Sequence, residues 1–303
     1  MNKINTFSYI AGYFDGDGCF YIGNYFEKTR NKIKYQSRII ISSTNTGIIN
    51  IVKKYFKVSV SKNKIRQGHE DWKTQYMISI RKESKKLFID SISAFLVEKQ
   101  KEAEIIKQFI NTKDKHVRER LIKEIKIQKN EVNLIDKSSK ELIHNIATTQ
   151  KVNDVESAYM AGFIDAECCF SISKYKSKNG NMIYKPFFKL NDTKLPVFKW
   201  IKERFGGRVI FINRKDKNIK HKNQLSMNII CNNLKFLINK IYPFIEQKKK
   251  ICTHIISFNE TILKNGGDRN SEEFRKSYSE TFRKREIIAN EIHKLNLKGK
   301  KTI

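Results

Sequence analysis

Hydrophobic and polar positions change period along this chain in a fixed order, and that order occurs twice. Residues 9–17 read as a short helix. Residues 19–26 and 35–42 are rich in β-branched and aromatic side chains and predict two strands, with 28–34 as the polar loop of a hairpin. Within 46–56, Ile48, Ile49, Val52 and Phe56 fall on one side of a 3.6-residue period, which predicts an amphipathic helix. A second strand pair follows at 58–62 and 72–81 around a polar loop at Gly68, and 84–96 closes the unit as a helix with Leu87, Ile92 and Phe95 inward. The later half repeats the order after its own short helix, at 170–176, 184–190, 195–205, 208–213, 225–231 and 232–245, with Gly206-Gly207 as a helix stop.

Strand alternation assigns the faces. In the first sheet Phe20, Ile22, Ile39, Ile41, Ile78 and Ile80 point one way, leaving Tyr21, Gln36, Arg38, Gln75 and Ser79 on the other. The second sheet offers Ser171, Ser173, Lys185, Lys189, Arg208, Gln224 and Asn228. Arg, Lys, Gln and Asn read base edges, and a β-ribbon can enter a major groove. A polar sheet face is also the default for a sheet solvated on one side, so the overall charge has to choose.

The repetition extends to individual residues. The segment Tyr9-Ile-Ala-Gly-Tyr-Phe-Asp-Gly-Asp-Gly-Cys-Phe20 returns 150 positions later as Tyr159-Met-Ala-Gly-Phe-Ile-Asp-Ala-Glu-Cys-Cys-Phe170. A shift of 149 aligns Phe56 with Phe205, Gln75 with Gln224, Phe95 with Phe244 and Lys99 with Lys248. Two copies of one fold are expected, at 1–101 and 154–250. Between them, 102–153 is charged and proline-free, with Ile105, Phe109, Leu121 and Ile125 at helical spacing, and reads as helices plus a linker. The stretch 251–303 reads as a basic helical extension with a break at Gly266-Gly267.

Charge narrows the class of partner. Lys and Arg number 61 against 31 Asp and Glu, so the formal charge is +30, spread along the whole length, and such a field favours a polyanion. With 303 residues, 39% of them apolar, the chain can fill two modest cores and is not a disordered segment. No apolar run approaches the roughly 20 residues of a membrane-spanning helix, and residues 1–8 lack the apolar stretch of a signal peptide. A soluble, intracellular protein is expected. Cys19, Cys168, Cys169, Cys231 and Cys252 show no CxxC spacing, which argues against a disulfide framework or a zinc cluster. His69, His116, His144, His221, His254 and His293 are scattered without metal-ligand spacing. Abundant Lys, Ile and Asn fit an AT-rich coding sequence, as in a mitochondrion, a chloroplast, a phage or a bacterium, without choosing among them.

The duplicated segment carries the chemistry. Each copy ends in an acid, Asp17 or Glu167, where the negative end of a helix macrodipole makes a carboxylate cost roughly 0.3–1 kcal/mol. Small residues (Ala11, Gly12 and Gly16; Ala161, Gly162 and Ala166) share one helix face and allow two backbones to approach closely. If the two helices pack side by side in parallel, the acids become neighbours and form a trap for a hard divalent cation, with Mg2+ the obvious candidate. Metal ions shared by two acids can activate water and stabilise the leaving oxygen of a phosphodiester. Asp15 and Asp165 read as structural, bonding local backbone groups.

These paired segments resemble the LAGLIDADG motif of homing endonucleases, and the double copy resembles the single-chain, pseudo-dimeric branch of that family. The resemblance covers about residues 8–255. It implies an α+β fold, αββαββα in each half, with the motif helices at the domain interface and two saddle-shaped antiparallel sheets astride DNA. It implies that Asp17 and Glu167 bind the catalytic metals, that the backbone carbonyls of Gly16 and Ala166 are auxiliary ligands, and that Lys99 and Lys248 support the metal-bound water or the transition-state charge. The chemistry of a cation beside an attacked phosphate suits that role, while the bland reading makes both lysines solvated helix-end residues. One departure stands out: the glycine that usually follows the acid is Gly18 in the first copy but Cys168 in the second. If that position needs positive φ, cysteine costs on the order of 1 kcal/mol and tilts Glu167, weakening the second site.

The expected activity is Mg2+-dependent cleavage of double-stranded DNA at a long, nearly asymmetric site by a monomer, leaving short 3′ overhangs by family resemblance. The competing reading is an RNA maturase that assists splicing of its own intron on the same scaffold. A transcriptional regulator built on a decayed nuclease would have lost an acid, and both are present.

Overall fold

The computed structural model describes residues 1–63, 74–130, 135–178, 180–213, 223–261 and 272–297. The first copy comprises α1 (Lys3–Asp17), β1 (Gly18–Glu27), β2 (Lys32–Ser43), α2 (Thr46–Tyr55), β3 (Val58–Lys62), β4 (Tyr76–Ile80) and α3 (Lys82–Ile92). Three helices follow: α4 (Gln100–Asn111), α5 (Lys115–Asn130) and α6 (Lys137–His144). The second copy comprises α7 (Asp154–Glu167), β5 (Cys169–Lys176), β6 (Met182–Asp192), α8 (Leu195–Phe205), β7 (Arg208–Ile212), β8 (Gln224–Ile230) and α9 (Cys231–Ile241). It is continued by α10 (Lys249–Glu260) and α11 (Glu272–Leu295). The two four-stranded antiparallel sheets have the same order, β1-β2-β4-β3 and β5-β6-β8-β7. Among the described residues, no helix is long and apolar enough to cross a membrane.

The α+β architecture follows the expected periods, and the differences have local causes. The first helix starts at Lys3 rather than Tyr9 because the Asn2 side chain accepts the Asn5 N–H (2.8 Å) and caps it there. The hairpin strands run on to Glu27 and from Lys32, so its loop is shorter than 28–34. Leu87, expected inward, is 54% exposed, because α3 turns the stripe Ser84, Phe88, Ile89 and Ile92 to the core and leaves Leu87 beside it. The described part of the fourth strand is Tyr76–Ile80, while Gly68, Trp72, His69, His221 and Gly266-Gly267 lie outside the described residues. Gly206 ends α8 at φ +74°, as its place in the sequence predicts.

The repeat continues past α3 and α9. Phe109 of α4 and Phe258 of α10 are buried at the same shift of 149, and a further helix follows each. Lys129, near the end of α5, donates to Phe20 O. Asn296, just past α11, donates to the equivalent Phe170 O (2.6 Å). α5 and α11 thus each reach the first strand of their own sheet.

Candidate active site

α1 and α7 lie side by side in parallel, so close that Gly12, Gly16 and Gly162 have no room for a side chain. Ser8 Oγ donates to Val155 O (2.6 Å) towards their start. A Cβ on Gly12 would stand 1.9 Å from Tyr159 O, and one on Gly162 would stand 2.0 Å from Tyr9 O. One turn later, a Cβ on Gly16 would meet Ala166 Cβ at 2.4 Å and Glu167 Cγ at 2.8 Å. The two helices therefore end together, and Asp17 and Glu167 are their last residues. Asp17 is half-buried and Glu167 exposed. The small-residue face thus becomes a geometric device that brings two acids to one place.

Asp15 and Asp165 are structural, but their partners are far away in sequence, which corrects the expectation of local bonds. Asp15 accepts the N–H groups of Val97 (2.7 Å), Glu98 (3.0 Å) and Lys99 (3.0 Å), and the Tyr159 hydroxyl donates to it across the interface (2.8 Å). Asp165 accepts from Glu246 (2.9 Å), Gln247 (3.0 Å) and Lys248 (2.9 Å), with Tyr9 as the crossing phenol (2.8 Å). Each carboxylate thereby satisfies the amides that lead into α4 or α10 and pins them to a motif helix. Burial, and then the facing carboxylate, push both phenols well above their ordinary pKa.

This pinning delivers the lysines. Lys99 Nζ donates to Phe14 O (3.0 Å) and Asp15 O. Lys248 Nζ donates to Ile164 O (2.5 Å) and Asp165 O (2.7 Å). Each lysine sits on the negative end of the helix that bears the acid and donates to its last carbonyls. Lys99 is 6% exposed, and burial, followed by the charge of Lys194, lowers its pKa.

Two cavities flank the joined helix ends. One, of about 780 Å3, is lined by Asp17, Tyr13, Ala166, Gln247 and Lys248, so it combines an acid from the first copy with a lysine from the second. The other, of about 270 Å3, is lined by Gly18, Glu98, Lys99 and Lys194. Sequence reasoning missed Glu98, although its neighbour Lys99 was singled out. Its side chain is 1% exposed and pairs with Lys194 Nζ at 3.0 Å across the two copies. Burial, reinforced by Asp192 and opposed by Lys194 and Lys99, pushes its carboxyl up to about 7. A raised carboxyl pKa favours the protonated folded state, so stability is lost as pH climbs from the unfolded value near 4.5 through 7. Glu98→Gln should therefore stabilise the protein by roughly 2 kcal/mol more at pH 8 than at pH 5, measured by denaturant titration.

Cys168 does not distort the second acid. Gly18 (φ −87°, ψ 155°) and Cys168 (φ −99°, ψ 163°) share extended backbone, so positive φ is not needed and the expected weakness of the second site loses its basis. Gly18 is required for space, since a Cβ there would lie 2.4 Å from the Phe14 ring. The second copy has Ile164 at the corresponding place and buries Cys168.

The sheet faces divide as alternation predicts. Phe20, Ile22, Ile39, Ile41, Ile78 and Ile80 are buried. Tyr21 pairs with Arg38 on the opposite face, where the guanidinium covers the ring at 5.8 Å and donates to Gln36 (3.1 Å). Ser79 opposes Ile40 and Ser59, and Gln75 binds Asn63 (2.8 Å) at the exposed end of the same face. In the second sheet Lys189, Asn228 and Arg208 form one row across three strands, Ser173 opposes Lys185, Ser171 opposes Phe187, and Gln224 opposes Ile212.

The donor set suits a hard cation. Asp17 and Glu167 are the last residues of two helices that end side by side, each next to backbone carbonyls of its own helix end. Among the described residues no three His, Cys, Asp or Glu side chains gather there, so an ion would complete its shell with carbonyl, water and phosphate oxygens, as Mg2+ commonly does.

Comparison with known proteins agrees with this geometry. The solved structure of I-SmaMI, a LAGLIDADG homing endonuclease bound to cleaved DNA, is 12% identical with a TM-score of 0.65 over 96% of this chain and 98% of its own. I-GzeII in complex with its DNA target is 17% identical with a TM-score of 0.57, over 92% and 97%. I-AabMI bound to uncleaved DNA is 18% identical with a TM-score of 0.59, over 92% and 98%. At these identities the likeness is one of fold. Comparison with curated proteins gives no match. The sequence model of the LAGLIDADG endonucleases matches twice, at residues 10–111 and 160–265, once over each motif helix and the sheet that follows it. With two motif helices locked through Gly12 and Gly162 and an acid at the end of each, the chain belongs to the LAGLIDADG endonuclease family.

Proposed function

We propose that this endonuclease cuts both strands of duplex DNA at a long, nearly asymmetric site, with Mg2+ held by Asp17 and Glu167. The observation that carries the reading is the meeting of the two motif helices at their acid-bearing ends. When bound there, the metal would supply Lewis-acid charge at a scissile phosphate and a more acidic water. Asp17 and Glu167 would hold it, with the Gly16 and Ala166 carbonyls as auxiliary oxygens. Lys99 and Lys248 would steady the negative charge that grows on the phosphate. Tyr21, Gln36, Arg38, Gln75 and Ser79 would read one half of the site, and Ser171, Ser173, Lys185, Lys189, Arg208, Gln224 and Asn228 the other. The copies differ at nearly all these positions, which makes an asymmetric sequence the natural target. The structures named above hold DNA, which supports carrying that substrate to this chain.

Selection of cleaved duplexes from a randomised library in Mg2+ tests this. One long sequence cut on both strands is expected, with no cutting in EDTA. No cleavage of any duplex by a chain that promotes splicing of an intron RNA would transfer the function to the maturase reading. On the selected target, Arg38→Ala should weaken binding by about 1–3 kcal/mol, with the loss concentrated at one or two base positions.

A further inference from the structure

The open faces of the two sheets carry different chemistry at equivalent places. β2 sets Ile40, Arg38 and Gln36 in a line on its open face, and a shift of 149 puts Lys189, Phe187 and Lys185 of β6 on the same line of the second sheet. Basic and apolar side chains are exchanged in the first two rows, where Ile40 answers Lys189 and Arg38 answers Phe187. The apolar members are not core residues. Their chain neighbours Ile39 and Phe188 are fully buried, whereas Ile40 and Phe187 are half-buried and point to the opposite face. Phe187 lies between two lysines of its own strand, the setting in which a polyanion would meet it. Packing against Ile230 on the next strand could account for its ring, but not for Ile40, whose partners across the strands are Cys19 and Ser79. In a major groove guanine offers two acceptors, O6 and N7, which suit Arg or Lys, while thymine offers a C5 methyl, which suits an apolar side chain. An apolar group set against guanine would leave both acceptors unpaired.

We propose that Ile40 and Phe187 are specificity-determining residues, each reading a thymine through its C5 methyl, while Arg38 and Lys189 at the equivalent places read guanine. The inner row is the one that starts at Cys19 or Cys169, two residues past each acid, and the outer row holds Arg38 or Phe187. At the inner pair of mirror-related positions the target therefore has thymine under the first sheet and guanine under the second. At the outer pair the two bases change places. The inference rests on duplex DNA as the substrate, and because it is read through binding it depends neither on the metal nor on cleavage.

The test uses duplexes selected for binding in EDTA from a randomised library, with each thymine of the bound sequence then replaced singly by uracil, which lacks only the methyl. At the outer position under the second sheet, uracil should weaken binding by wild type about fourfold, the effect of leaving one methyl unburied. Phe187→Ala should reduce that penalty to less than about 1.5-fold while the penalties at other thymines stay. Phe187→Arg should turn the preference there from thymine to guanine. Ile40→Ala repeats the uracil test at the inner position under the first sheet, and it serves independently if the Phe187 variants impair folding. A wild-type chain indifferent to uracil at every thymine, or a folded Phe187→Ala with the full uracil penalty, would overturn the inference while leaving specific DNA binding in place. No specific binding of any duplex would overturn both.

Discussion

Asp17→Asn will leave the protein folded and able to bind its target while cleavage of both strands falls by at least about a thousandfold, and Glu167→Gln will do the same. The two acids close adjacent helices, and Gly16 packs against Ala166 and Glu167, so on the proposed reading each carboxylate would contribute to one shared set of oxygens rather than to a private site. Removing one negative charge from that set weakens the hold on every ion it shares. Binding should persist because most of the proposed base contacts lie along the two sheet faces rather than at the acids. In EDTA the variant should bind slightly more tightly than wild type, because there an intact carboxylate facing a phosphate is purely repulsive. Band-shift and end-label assays on one preparation separate the effects. A variant that loses binding together with cleavage would mean that the acid was structural.

The second large effect concerns assembly. Gly12→Ala should destabilise the protein by about 3 kcal/mol or more, beyond the usual range for overpacking, because the new methyl collides with backbone instead of a side chain that can turn away. The methyl carbon would lie 1.9 Å from Tyr159 O, and the only relief is to part α1 from α7. Parting them also lengthens the bonds from Tyr9 to Asp165 and from Tyr159 to Asp15, which hold Lys248 and Lys99 in place. Cleavage should therefore fall further than the folded fraction does. Gly47→Ala is the control: a Cβ there meets only the Asn45 side chain, at 3.1 Å, and stability should change by less than about 1 kcal/mol. Urea titration of both variants checks the contrast.

The elements were legible because their burial is one-sided. Ile48, Ile49 and Val52 on α2, and Phe20, Ile22, Ile39 and Ile41 on the hairpin, each obey a single period. Leu87 was misread because an apolar residue at the border of a helical stripe looks the same in sequence whether it turns in or out. The acids could be found because a repeat compares the chain with itself. The aspartates before them kept their role hidden, since their partners lie 81–84 residues downstream and no periodicity links such positions. Glu98 was hidden for another reason. In a basic stretch after a helix it reads as a solvated acid, and only the docking of Lys194 from the other copy makes it a buried ion pair.

The most direct test of the central claim is anomalous diffraction from Mn2+ in crystals of the chain bound to its selected target. The account predicts manganese within about 2.0–2.4 Å of carboxylate oxygens of both Asp17 and Glu167 and in contact with a phosphate of the duplex. Manganese elsewhere, or Asp17 and Glu167 carboxylates that point away from the DNA with no ion between them, would contradict it.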